Sequence, residues 1–143
     1  MPNDVYAMDG KAECCSEGGG RHWTVGETGG AYDAVNSGDT VKSGNTVGIA
    51  LTDYNTDTDK MVIDIAGCHE LDVTAKDQDG GNLAVVVGSF IVFDDSANLF
   101  KPYDGTFHAA DDVGVGLAMA PITAGDSDTI CVKLHPFPLV TGA

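Results

Sequence analysis

The sequence predicts a mostly β fold, a small compact β-sandwich or barrel-like domain with few or short helices and a flexible N-terminal arm. Three observations carry that expectation. Between Gly88 and Leu134 lie the apolar runs Ser89 to Phe93, Val113 to Met119 and Ile130 to Leu134, each bounded by Gly, Asp, Asn or Pro, which is how short strands joined by turns are written. The last run alternates, with Ile130, Val132 and Leu134 on one side and Cys131 and Lys133 on the other, so one face can be buried and the other left wet. Helix signals are sparse, with at most a turn or two over Leu71 to Ala75 or Ala109 to Asp112.

Taken in order, residues 1 to 22 show little periodicity and contain the run Gly18, Gly19, Gly20. They read as a flexible arm that orders on a partner surface. Residues 23 to 143 read as a single domain, which Trp23, the only tryptophan, opens by anchoring the end of the arm. Val41, Val47, Ile49 and Leu51 form one short apolar element, and Met61, Ile63 and Ile65 alternate with Val62 and Asp64 in another.

This stretch resembles the later one. Val47-Gly-Ile-Ala-Leu51 matches Val113-Gly-Val-Gly-Leu117 position by position, and each is followed by a polar loop and then an alternating strand, Met61 to Ile65 or Ile130 to Leu134. We read a duplicated hairpin whose second connection is longer, a change that surface loops accept. Gly114 and Gly116 share a face, where missing side chains admit close approach of another backbone, or else permit a bend or bulge. Between the copies, Val85, Val86 and Val87 favour a strand over a helix, and Asp77-Gln-Asp-Gly-Gly-Asn82 is turn chemistry.

At 143 residues the chain is one ordinary domain. With 43% hydrophobic and 20% charged residues it is globular in composition. Its 22 acidic against 7 basic side chains give a formal charge of −15. Such a surface disfavours nucleic acid and anionic lipid and suits cationic partners, bound cations, saline surroundings or solubility. No apolar run approaches the ~20 residues of a membrane helix, and the first residues lack the pattern of a secretory signal. The expectation is a soluble protein made in a cytoplasm.

Residues able to do chemistry are few. Cys14, Cys15, Cys68 and Cys131 form no C-x-x-C pair. A zinc site combining Cys14 or Cys15 with Cys68, His69 and His135 matches no known spacing, so free thiols are expected. His22, His69, His108 and His135 have no nucleophile motif beside them, and there is no phosphate-binding or dinucleotide fingerprint. No catalytic residue and no cofactor is assigned. The one metal candidate is calcium: Asp53, Asn55, Asp57 and Asp59 place oxygen at every second position, and Asp64 falls where an EF-hand loop closes. Thr58 stands where that loop needs glycine and the flanks read as strands, which favours a solvated acidic loop over a calcium-dependent binding or adhesion module.

One family fits the order of these features. Gly67 with Glu70 and Leu71, Gly88-Ser-Phe-Ile-Val-Phe-Asp94, Asn98-Leu99, Val113-Gly-Val-Gly-Leu117 and Ile130-Cys-Val-Lys-Leu134 together resemble the capsid decoration, or cement, proteins of tailed bacteriophages. The Asp104-Gly105 turn before a Gly-rich strand is similar to the lambdoid head decoration proteins. The likeness covers roughly residues 35 to 135. It implies a compact β domain without catalysis or cofactor. It also implies a homotrimer that binds the major capsid protein at local threefold positions on the outer face of the mature shell, within a virion assembled in a bacterial host cytoplasm.

Overall fold

The structure, a computed structural model, describes residues 5–8, 12–14, 22–26, 35–43, 46–58, 60–94, 96–105 and 113–134. The chain order is β1 (Val5–Met8), β2 (Ala12–Cys14), β3 (His22–Gly26), β4 (Thr40–Ser43), β5 (Thr46–Ala50), β6 (Lys60–Asp64), β7 (Gly67–Thr74), β8 (Phe90–Asp94), β9 (Leu99–Pro102), β10 (Val113–Ala118) and β11 (Ser127–Leu134). No described residue is helical. Leu71 to Ala75, a possible helical turn on sequence, lies mostly in β7, where Leu71, Val73 and Ala75 are buried at period two. The other candidate, Ala109 to Asp112, lies outside the described residues.

The strands form two sheets. One has six strands in the order β1-β4-β5-β6-β3-β2, and the other is a closed barrel, β10-β11-β7-β9-β8. Apart from the parallel pairs β1–β4 and β7–β9, neighbours are antiparallel. The segment read as an arm thus supplies strands at both edges of the six-stranded sheet; the rest of residues 1 to 21 lies outside the described residues, as does the side chain of Trp23. Chain length constrains this sheet. A flat one would hold its edge strands about 24 Å apart, whereas the step from Met8 to Ala12 spans at most about 14 Å. The sheet must therefore roll, bringing its edges toward each other.

β5 is where the two layers meet. All five of its residues are buried. Val47 and Ile49 join the barrel core of Leu71, Val73, Ile91, Phe93, Phe100, Val113, Val115, Ile130, Val132 and Leu134. Ala50 turns the other way, into a second cluster with Val25, Val35, Val41, Met61, Ile63 and Ile65. Inside the barrel, the Phe93 and Phe100 rings pack with centroids 5.4 Å apart. A strand covered on both faces loses its polar alternation, which is why Val47-Gly-Ile-Ala reads as an unbroken apolar run.

The duplicated hairpin takes the same form in each layer. β5 pairs antiparallel with β6, and β10 pairs antiparallel with β11. Carrying Ala50↔Ile63 over to the second copy would set Gly116 against Val132, but Gly116 stands opposite Leu134. A slip of two residues keeps every side chain on its face, so the copies differ in register without exchanging inside for outside.

Both readings of the β10 glycines hold. The register with β8 shifts between Gly114 and Gly116, a β-bulge. A Cβ on Gly116 would collide with the Lys133 carbonyl and lie 3.1 Å from the Leu134 Cα. The backbone that approaches so closely is the chain's own β11, so the gap at Gly116 is already filled without another subunit. The bulge also changes the phase of the strand. Val113 and Val115 face the core before it, Ala118 faces the core after it, and Leu117 is turned outward.

Val85 to Val87, expected as strand, is a bridge followed by a turn. Val85 pairs with Ile122 and is buried, and the chain then reverses at Val86 to Ser89 through a Ser89 N–H bond to the Val86 carbonyl, with Gly88 at φ 90°. Glycine is needed there because a positive φ strains any side chain with a Cβ.

In β11, Val132 is fully buried and Lys133 exposed. Val132→Asp buries an unpaired carboxylate, which costs several kcal/mol, on the order of the whole stability of a small domain. Lys133→Asp should fold nearly as wild type. Urea denaturation of the two variants measures the contrast, and equal losses would mean the strand is buried on both faces.

Candidate functional site

The residues of the acidic loop are separated by the fold. Asp53 is exposed and its Oδ1 accepts the Ser37 N–H at 2.8 Å. Asn55 Oδ1 accepts the N–H groups of Asp57 at 2.9 Å and Thr58 at 3.2 Å, an Asx turn inside the tight loop that the Asn55–Lys60 backbone bonds close. Asp57 is exposed, and Asp59 lies outside the described residues. Asp64 belongs to β6 and is buried, its Oδ2 lying 2.9 Å from Nε2 of the half-buried His69 on β7. The carboxylate expected to close the loop instead ties the six-stranded sheet to the barrel.

His69 and Glu70 take opposite faces of β7, and Glu70, exposed, stands opposite Cys131. Cys68 and Cys131 are free thiols on the outer barrel wall. The Cys131 thiol is pushed above its ordinary pKa by burial, then by a hydrogen bond with Cys68 and by the charges of Cys68 and Glu70. A raised pKa keeps the thiol protonated at neutral pH, the opposite of what a nucleophile needs. His22 is half-buried opposite Asp64. Cys14 has only its backbone described, and Cys15, His108 and His135 lie outside the described residues, so the zinc combination is not assembled among them.

Two features were not read from the sequence. The first is a buried ion pair, Lys101 Nζ to Asp94 Oδ2 at 3.0 Å, with both side chains 8% exposed. It spans the β8–β9 hairpin, where Lys101 stands opposite Val92 and so shares a face with Asp94. A lysine between Phe100 and Pro102, seven residues after an aspartate across a polar turn, was the available signal. The second is the meeting of Asp77, Asp79 and Asp104, whose oxygens lie within 4.8 Å of one another. Asp77 Oδ1 accepts the N–H groups of Asp79 and Gly81, both at 2.9 Å, so this carboxylate is explained by the turn it folds.

What remains on the barrel is a surface for contact. A shallow groove lies among Asp72, Thr74, Leu99, Ser127, Asp128 and Thr129, and the Thr129 hydroxyl bonds to Asp72. An apolar face lies beside β10. Leu117 is 40% exposed, Met119 45%, and Val86 and Val87 at the tip of their turn 59% and 64%. Phe90 stands opposite Leu117 and packs edge-on to Tyr103 at 5.4 Å. Leu51, the counterpart of Leu117 in the first hairpin, is 39% exposed on the other layer.

A family model described as phage cement protein matches residues 20–134, most of the chain. No curated protein and no solved structure matches it.

Removing one member of the buried pair tests the electrostatic reading of the barrel. Lys101→Met alone should cost about 3–5 kcal/mol because the Asp94 charge stays buried. The double replacement Asp94→Leu with Lys101→Met should recover most of that loss. Equal instability of the single and double variants in thermal melts would show that packing, not charge, governs the hairpin.

Proposed function

The chain belongs to the phage cement protein family, and on that premise we propose that it is a non-enzymatic clamp on the outer face of a bacteriophage capsid. The family supports a structural, capsid-binding role in the virion. The proposal adds that the protein is made in the host cytoplasm and seats as a trimer at local threefold positions. There it joins neighbouring major capsid subunits and stabilises the mature shell. The observation that carries this is the match over residues 20–134. A closed barrel adds support, because a docking surface built on it is rigid before binding and loses little conformational entropy there.

A clamp that binds only the expanded lattice stabilises it by mass action and performs no chemistry. Many copies on one shell multiply modest contacts. Residues 1–22 are the proposed arm. Its described pieces, β1 and β2, are short edge strands, the class of element that opens at least cost, and they are free to exchange their pairing for contacts with the shell.

The protein should co-sediment with expanded heads and not with unexpanded ones, equally with calcium or with a chelator. Absence of sedimentation with either head form would remove the function proposed here. Binding lost only with the chelator would favour the calcium-dependent module at Asp53, Asn55, Asp57, Asp59 and Asp64. Deleting residues 1–20 should leave the melting temperature nearly unchanged and weaken sedimentation. A deletion that fails to fold would assign the arm to the core.

A further inference from the structure

We propose that the face made by Leu117 and Met119 with the Val86–Val87 turn is where copies of this chain meet one another around a rotation axis. The inference rests on the self-association part of the reading above and not on capsid binding.

The face is built and held rather than left over. Leu117, Ala118 and Met119 alternate out, in, out, with Ala118 in the barrel core. The Met119 N–H bonds to the Cys131 carbonyl, so β10 keeps its pairing to the end of the face. The turn is fixed beside it. Gly88 N–H bonds to the Ala118 carbonyl, Ala118 N–H bonds to the Ser89 carbonyl, and Ser89 Oγ accepts the Val86 N–H at 2.9 Å. Buried Val85 anchors the near side against Ile122. Two adjacent β-branched residues at a turn tip contribute little to folding when exposed, and polar residues serve such a turn better. An apolar, preorganised face in that position is the signature of a surface that becomes covered.

Charge selects the occupant. Each chain carries −15, so two copies approaching at random bring acid against acid. In a closed ring, residues nearest the axis meet their own counterparts from every copy, and a carboxylate there would face its own like charge. Val86, Val87, Phe90, Leu117 and Met119 include no carboxylate. The neighbour across from Leu117 is Lys133, and Glu70 lies one strand beyond Cys131 in the row of Met119. Leu51 offers the contrast. It has the same place in the duplicated motif and almost the same exposure, but exposed Thr52 and Asp53 follow it, and that acid bars it from an axis.

Light scattering of the purified full chain is the test. The wild type should have a mass of about three chains, favoured by raised salt, which screens the net charge. Leu117→Asp and Val87→Asp should each fall to one chain with an unchanged circular dichroism spectrum, and Leu51→Asp should keep the wild-type mass. A wild type that stays monomeric at high concentration and salt, or variants with the wild-type mass, would overturn the proposal. If Leu117→Asp keeps its mass but no longer sediments with shells, the face belongs to the capsid partner, and the inference fails while the proposed function stands. Loss of association in both variants from a chain that never binds shells would support the inference and sink that function.

Discussion

Closure of the barrel depends on one close approach. β10 must hydrogen-bond to β8 on one side and β11 on the other, and at Gly116 the β11 backbone comes so near that the Lys133 carbonyl occupies the place of a side chain. A barrel has no exposed edge, and its core holds most of the large buried side chains, including Phe100, Ile91 and Leu134. The bulge beside Gly116 supplies the extra residue that lets one strand serve two partners. It also turns Leu117 outward and Ala118 inward. The step that closes the core is therefore the step that creates the exposed face.

The second layer is built onto this barrel through β5. Its Val47 and Ile49 complete the barrel core while Ala50 serves the other cluster, so neither layer is fully covered without the other. Asp64 and His69 join the layers again at the β6–β7 corner. The two hairpin copies thus occupy equivalent places in adjoining layers. The difference between them, an acid beside Leu51 and none beside Leu117, is what distinguishes a solvated loop from a contact surface.

Much of this was legible in the sequence. Ile130 to Leu134 could be read because one face is wet and the period of two survives intact. The likeness of the two Val-Gly-x-x-Leu segments anticipated paired hairpins, and the glycines of β10 announced both a bulge and a close approach. Other features were hidden by tertiary context. β5 shows no alternation because both faces are buried. Extending the period from Val113 and Val115 would place Leu117 in the core, and only the bulge reverses that. The every-second-residue oxygens from Asp53 suggested calcium because spacing alone does not show that Asp64 already sits in a strand against His69. Nor does local pattern reveal that Lys101 finds Asp94 across a hairpin, or that residues with as little periodicity as Val5 to Met8 pair with the distant β4.

Membership of the phage cement protein family and a rigid closed barrel point to work done by binding alone, in which occupancy of a lattice is converted into its stability. The most direct measurement is the melting temperature of expanded capsids as this protein is titrated onto them. The account predicts a rise that saturates when the sites are filled. Binding that reaches saturation while the capsid melts at its bare temperature would contradict it.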